Sequence, residues 1–263
     1  MKLFEKQREE YNLYLETAIN SKQVELECIF GMIQSKNPIN KKIFLQLMDR
    51  CKENYNVMEE STSLDIRNEF RNNLSNIRCT INGLESIKKY CNEESIENIN
   101  NEDVSFMIKQ YYKDKSVPDR KYITLKDNNY NVRLNIKSEK LLVNDNRFVI
   151  KFLDDFNNKR KHFRYKKRMS FLTKDKLFRI DLTVVKSTRW MGSKYDFQKT
   201  FKGANILRQR EEYELEIEYV GWKKEVGDDE IDRLYNHLNQ FYIAGPGKEV
   251  LGNIYDPLNI GIN

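Results

Sequence analysis

Two stretches far apart in the chain, Val24-Glu25-Leu26-Glu27-Cys28-Ile29-Phe30 and Tyr213-Glu214-Leu215-Glu216-Ile217-Glu218-Tyr219, alternate glutamate with apolar residues. Successive side chains of a β-strand point to opposite faces, so each stretch reads as a strand with a carboxylate row and an apolar row. Carboxylates on two such strands lying side by side repel one another unless cations stand between them. One Glu-x-Glu strand taken alone fits the wetted outer face of an antiparallel sheet. Here, however, charges alternate in the same way on other stretches. Arg164, Lys166 and Arg168 share one face of 162–171, and Arg179, Asp181 and Thr183 lie opposite Ile180, Leu182 and Val184. The run Val132–Glu139 repeats the plan with Arg133 and Lys137. If the apolar rows pack outward against helices, the charged rows line an interior. Buried charges need partners, so that interior is wet and its acidic and basic walls face each other.

Taken in order, apolar spacing predicts an amphipathic helix over 3–20, a strand over 23–33 and a helix from Asn40 to about Tyr55. Strands are expected at 64–71 and 76–81, a turn at Asn82-Gly83, and a helix opened by Asn101 running to about Lys115. From Lys121 the chain reads as successive strands at 121–127, 130–140, 147–154, 161–173, 176–187 and 211–220. Asn128-Asn129 and Thr173-Lys174-Asp175 supply hairpin turns, 188–210 is a basic irregular connection, and Asp228 caps a last helix. At least eight strands with short connections predict an α+β fold, a closed antiparallel β-barrel with helices packed outside. Residues 1–245 form one domain in this reading, and the Gly/Asn/Pro-containing segment 246–263 is a linker toward a further domain.

The net charge of +6 is a small surplus on a highly charged chain and permits a polyanionic partner without requiring one. The four cysteines have no CxxC spacing and read as free thiols of a reducing compartment. No signal-peptide pattern and no membrane-spanning run occurs, so a soluble intracellular protein without a membrane partner is expected. With two histidines and no HExxH, oxygen ligands and hence Mg²⁺ or Mn²⁺ are favoured over zinc. Carboxylates holding such an ion beside Lys and Arg groups suit a metal–polyphosphate complex.

At these residues the chain resembles the triphosphate tunnel metalloenzymes. It looks closest to the RNA triphosphatase domains of large-DNA-virus mRNA capping enzymes, which are related to fungal RNA triphosphatases. The resemblance is carried by Glu25-Leu26-Glu27 with Phe30-Gly31, Arg164-Tyr165-Lys166-Lys167-Arg168, Arg179-Ile180-Asp181-Leu182-Thr183 and Tyr213–Glu218, in that order. Leu64-Asp65-Ile66, Ile77-Arg78-Cys79-Thr80 and Asn135–Glu139 match more weakly. It implies an eight-stranded tunnel that removes the γ-phosphate from a 5′-triphosphate RNA end, the first step of cap formation. Glu25, Glu27 and Glu218 would then hold the metal. Arg78, Arg164, Lys166, Arg168 and Arg179 would bind phosphate oxygens, with Asp181 and Thr183 holding those side chains. Glu214 and Glu216 would orient the water or the basic residues, and Glu139 is a further candidate for the water.

The resemblance also implies guanylyltransferase and methyltransferase domains in a longer chain, and a host cytoplasm, viral factory, virion or nuclear setting. A Lys-x-Asp-Gly motif for nucleotidyl transfer is absent from this sequence. Two alternatives stay open: a tunnel hydrolase of small substrates such as nucleoside triphosphates or tripolyphosphate, and a non-catalytic RNA-binding or assembly module. Cys28 and Cys79 read as packing residues, Trp190 and Trp222 as rim or packing residues, and His162 and His237 as ordinary polar residues.

Overall fold

The structure, a computed structural model, describes residues 24–30, 39–111, 123–126 and 131–221. Strands β1 (Val24–Phe30), β2 (Asn56–Phe70), β3 (Asn73–Leu74), β4 (Ile77–Asn82), β5 (Val104–Tyr111), β6 (Ile123–Lys126), β7 (Asn131–Leu142), β8 (Lys161–Leu172), β9 (Phe178–Ser187) and β10 (Glu212–Tyr219) form one antiparallel system. Eight of them follow the order β1-β10-β9-β8-β2-β4-β5-β7, and β7 pairs again with β1, so the sheet closes on itself. β6 takes the part of the β7 edge that β5 leaves open, and β3 pairs only with β2. Closure removes the exposed edges of the eight staves, where stray strands would otherwise add.

The apolar rows point outward, as the alternation predicts. Leu26, Cys28, Leu134, Ile136, Phe171, Ile180, Leu182, Leu215 and Ile217 are buried beneath helix α1 (Lys41–Asn54), which contributes Ile43, Phe44, Leu47 and Cys51. Asn40 starts α1 by accepting the Ile43 amide at 2.9 Å. On the far side, Leu64, Ile66, Cys79, Ile81, Phe106 and Phe163 pack under Ile87 and Tyr90 of α2 (Leu84–Glu93) and Val149 and Phe152 of α3 (Arg147–Asp154). The short α4 (Phe201–Ala204) completes that layer, and Glu94 accepts its first amides from Phe201 and Lys202 at 2.9 and 3.2 Å. Each fully buried aliphatic or aromatic side chain stabilises the fold by about 1.5–3 kcal/mol.

Three expected elements differ. Residues 147–154 are a helix, not a strand: Asn146 caps Phe148 at 2.9 Å, and Val149 and Phe152, three apart, bury one face. Asn82-Gly83 does not close a hairpin. Gly83, at φ +82, admits the chain into α2. Past Asn101 the predicted helix is a single 3-10 turn, Asn101–Asp103, followed by β5. β2 also starts eight residues earlier than expected, at Asn56, with an irregularity between Val57 and Glu59. The 3–20 helix, Gly31, the Asn128-Asn129 turn, Trp222, the Asp228 helix, His237 and the 246–263 linker lie outside the described residues.

Between β9 and β10 the 188–210 connection is less irregular than its sequence suggests. It first folds as a small hairpin over 189–196. Trp190 pairs with Tyr195, the Met191 amide donates to the Lys194 carbonyl at 2.8 Å, and Gly192 turns the tip at φ +89. The returning chain then bonds alongside β8, with Gln198 paired to Lys161. No described helix is long and apolar enough to cross a membrane.

Candidate active site in the barrel lumen

With the apolar rows outside, every polar row turns inward, and register fixes which groups meet. On the β1–β10 wall Glu27 lies opposite Glu218, and Glu216 opposite Ile29. Across β9, Arg179, Asp181 and Thr183 lie opposite Glu218, Glu216 and Glu214. Arg168 of β8 faces Thr183, and Arg164 lies opposite Asp65 of β2. Arg78 of β4 shares the face of Thr80, which lies opposite Asp65, and Lys109 of β5 lies opposite Glu139 of β7. All the carboxylates, arginines and lysines singled out in the sequence therefore line one enclosed volume. Arg133 and Lys137 join them, since β7 pairs Ile29 with Arg133 and Glu25 with Lys137.

Two networks divide the lumen. In the first, Lys109 bridges three carboxylates: Glu25, Glu27 at 3.2 Å and Glu139 at 2.8 Å. Lys137 and the Asn135 amide, the latter at 3.1 Å, also reach Glu27. Next to it Arg179 pairs with Glu218 and, at 3.1 Å, with Asp181. Asp181 is 1% exposed; it also takes Arg168 at 3.1 Å and the Ser170 hydroxyl at 2.7 Å. Arg168 further donates to Thr183 at 3.3 Å and lies 3.7 Å from Glu216. In the second network Asp65 accepts Lys166 at 2.8 Å and the Thr80 hydroxyl at 2.9 Å, while Arg164 pairs with Glu214. Arg78 has a buried Nε with no partner among the described residues; its Nη2 meets only the Met107 sulfur, at 3.0 Å.

Electrostatics follow from this crowding. Burial and then the like charge of Glu25 push the Glu218 carboxyl up to about 8. Burial alone would raise Asp65, but Lys166, Arg78 and Arg164 overcome it and hold that carboxyl far below the usual range. Burial pulls Lys166 down to about 8; Asp65 opposes that, and Arg164, Arg78 and Arg168 reinforce it. A single carboxylate is thus shared among several cations, and burial together with their mutual repulsion lowers the lysine. His162, buried on the lumen face beside Arg164 and Arg67, is held neutral down to about 3, so it is not an ordinary polar residue. Cys28 and Cys79 pack as small apolar groups with thiols raised by burial.

The Glu25, Glu27 and Glu218 set consists of hard oxygen donors on adjacent strands, with Glu218 raised by burial and by the neighbouring Glu25. This chemistry fits a hard divalent cation. The side chains are turned onto Lys109, Lys137 and Arg179, and among the described residues no three His, Cys, Asp or Glu groups converge as metal ligands.

Sequence reasoning passed over Lys109, because β5 was expected to be a helix. The alternation Val104-Ser105-Phe106-Met107-Ile108-Lys109 was the available signal. Asp65, noted only as a weak match, is the most tightly held carboxylate of the second network. Asn135 and Lys137 stand out in the sequence, but their shared partner Glu27 becomes legible only once the β1–β7 register is known.

A closed antiparallel barrel whose lumen is lined by opposed acidic and basic rows is a tunnel fold. The chain has this fold in common with solved structures of a viral enzyme. One is the RNA triphosphatase domain of a trifunctional mimivirus mRNA capping enzyme: TM-score 0.58, 20% identity, 91% of this chain and 97% of that one covered. Another is a triclinic structure of the mimivirus capping enzyme triphosphatase: TM-score 0.60, 19% identity, 91% and 96% covered. No family model matches the chain, and no curated protein does.

Proposed function

We propose that this chain is a divalent-metal-dependent 5′-triphosphatase that removes the γ-phosphate of triphosphate-ended RNA, the first step of mRNA cap formation. The observation that carries the reading is the lumen itself: Glu25, Glu27, Glu139 and Glu218 stand among Lys109, Lys137 and Arg179, beside the Asp65–Lys166 network, inside a closed wall. A polyphosphate–metal complex is the ligand that satisfies both halves at once. The fold shared with viral capping-enzyme triphosphatase domains supports it.

Glu25, Glu27 and Glu218 would hold Mg²⁺ or Mn²⁺, which when bound would neutralise charge on the transferring phosphoryl group. Arg168 and Arg179, both oriented by Asp181, would bind the phosphate oxygens together with Lys166 and Arg164, and Thr183 would steady Arg168. Arg78 brings an unsatisfied donor to the same anion. One of Glu139, Glu214 or Glu216 would align a water with the terminal phosphorus and take its proton. The new bond joins water oxygen to phosphorus, and the bond to the bridging oxygen breaks, leaving a diphosphate end. Catalysis here is positioning and charge neutralisation. We further propose that nucleotidyl- and methyl-transfer domains accompany this one in a longer chain.

Phosphate release from γ-labelled triphosphate-ended RNA tests the proposal, with Mg²⁺ or Mn²⁺ against chelator, in wild type, Glu27→Ala and Glu216→Ala. Metal-dependent release lost in both variants supports it. No release, or release indifferent to both changes, refutes it. Turnover of tripolyphosphate with none of RNA would instead make this a small-substrate enzyme.

A further inference from the structure

We propose that the 189–196 hairpin is a stacking platform for the first bases of single-stranded RNA whose triphosphate end lies in the lumen, a step that rests on the triphosphatase reading. Trp190 is 43% exposed, an unusual amount for an indole that is nonetheless held in place. Its ring makes a T-shaped contact with its cross-strand partner Tyr195, with centroids 4.8 Å apart and planes at 75°. Tyr195 is in turn braced by His162, at 4.4 Å and 69°. Such a contact fixes the indole in place while nearly half of it stays exposed to a ligand.

The platform stands at the tunnel mouth. His162, the second residue of β8, lies opposite Arg67, and the hairpin follows directly on the end of β9 at Ser187, which pairs with Arg164. Three rings therefore run in contact from the lumen wall to an exposed indole. His162 and Lys166 are four positions apart on one strand, about 13 Å at ordinary strand rise. A chain end with its phosphates at Lys166 would bring its ribose and first base to the mouth.

Charge complements the ring. Arg189 and Lys194 sit on the same hairpin, and Asp196, its acidic residue, is engaged by the Gln198 amide at 2.8 Å. An exposed aromatic face beside cations is the combination that holds single strands without reading sequence: bases stack on the ring and phosphates follow the cations. Gly192 allows this small projection, since the φ of +89 at its tip is one that L side chains rarely adopt.

The test is binding by the full chain in excess chelator, so that no turnover enters. A short fluorescently labelled 5′-triphosphate RNA is titrated into wild type, Trp190→Ala and Trp190→Phe, and inorganic tripolyphosphate is used as competitor. Trp190→Ala is expected to weaken RNA binding roughly tenfold, the scale of one lost base–aromatic stack. Trp190→Phe should stay close to wild type, and tripolyphosphate should compete equally well in all three. RNA affinity within twofold of wild type in Trp190→Ala would overturn the platform. So would a parallel loss of tripolyphosphate affinity, because the substitution would then act through the barrel. Loss of RNA binding in Trp190→Ala from a protein that releases no phosphate would leave the platform standing and refute only the triphosphatase reading.

Discussion

Asp65→Asn separates charge from shape in the second network. The carboxylate is 4% exposed, with Lys166 at 2.8 Å and Arg164 and Arg78 close by. Asparagine keeps the size and can still accept from Thr80 and Lys166, so the change removes chiefly the negative charge. Breaking a buried ion pair by deleting one partner costs about 3–5 kcal/mol, because the other charge is stranded. At roughly 2–4 °C per kcal/mol for a chain of this size, the melting temperature should fall by about 6–20 °C. Lys166, already held down to about 8, loses its one opposing carboxylate and is pushed lower. The alkaline limb of kcat/KM for phosphate release should therefore move to lower pH. The double variant Asp65→Asn/Lys166→Met removes the stranded cation and should recover much of the lost stability. Differential scanning calorimetry on the four proteins of this cycle measures the coupling. An Asp65→Asn protein melting within about 2 °C of wild type, or strictly additive singles, would refute the argument that one carboxylate holds the network together.

Other outcomes follow from the same geometry. Lys109→Met takes the bridging cation from Glu25 and Glu139 and leaves Glu27 to Lys137, so it should lower the melting temperature more in chelator than in Mn²⁺, which can replace the missing charge; equal losses in both would count against a shared cation site. His162 is neutral down to about 3 in the fold and titrates at 6.5 when unfolded. The folded state thus binds fewer protons between these values, and stability falls as pH drops below 6.5, by about 2 kcal/mol at pH 5. Urea unfolding of His162→Asn should show a flatter pH dependence over that range. Glu27→Gln should reduce metal-dependent phosphate release by roughly 100-fold or more while leaving far-UV circular dichroism unchanged. Leu182→Ala opens a hole under α1 and should cost about 2–5 kcal/mol by urea titration.

Much of this arrangement was legible because strand alternation is a local signal. The bounds of β8, β9 and β10 lie within two residues of those predicted, and their charged rows face inward as expected. Where prediction failed, local signals conflicted. Phe148-Val149-Ile150 favours a strand by residue type, yet Asn146 caps a helix and the contacts of Val149 and Phe152 with the core decide the matter. Asn-Gly marks a turn, but a positive φ serves a helix entry as well as a hairpin. The site was legible on the strands carrying paired like charges and illegible on β5, whose single inward lysine follows a serine and a methionine. Its partners sit on β1 and β7, remote in sequence, and no window of residues could reveal them.

Closure of the barrel has a kinetic consequence. β1 is seated between β7 and β10, and its pairing of Glu27 with Glu218 joins positions 191 apart. Such long-range pairing is slow to find, because a large loop must be ordered before any contact rewards it. Until β1 docks, β7 and β10 present unpaired backbone to any passing strand, the condition under which sheets aggregate or swap. The strand that seals the wall is also the one that carries Glu25 and Glu27. A molecule caught before sealing lacks this acidic row, so folding to completion and acquiring the complete acid corner are the same event.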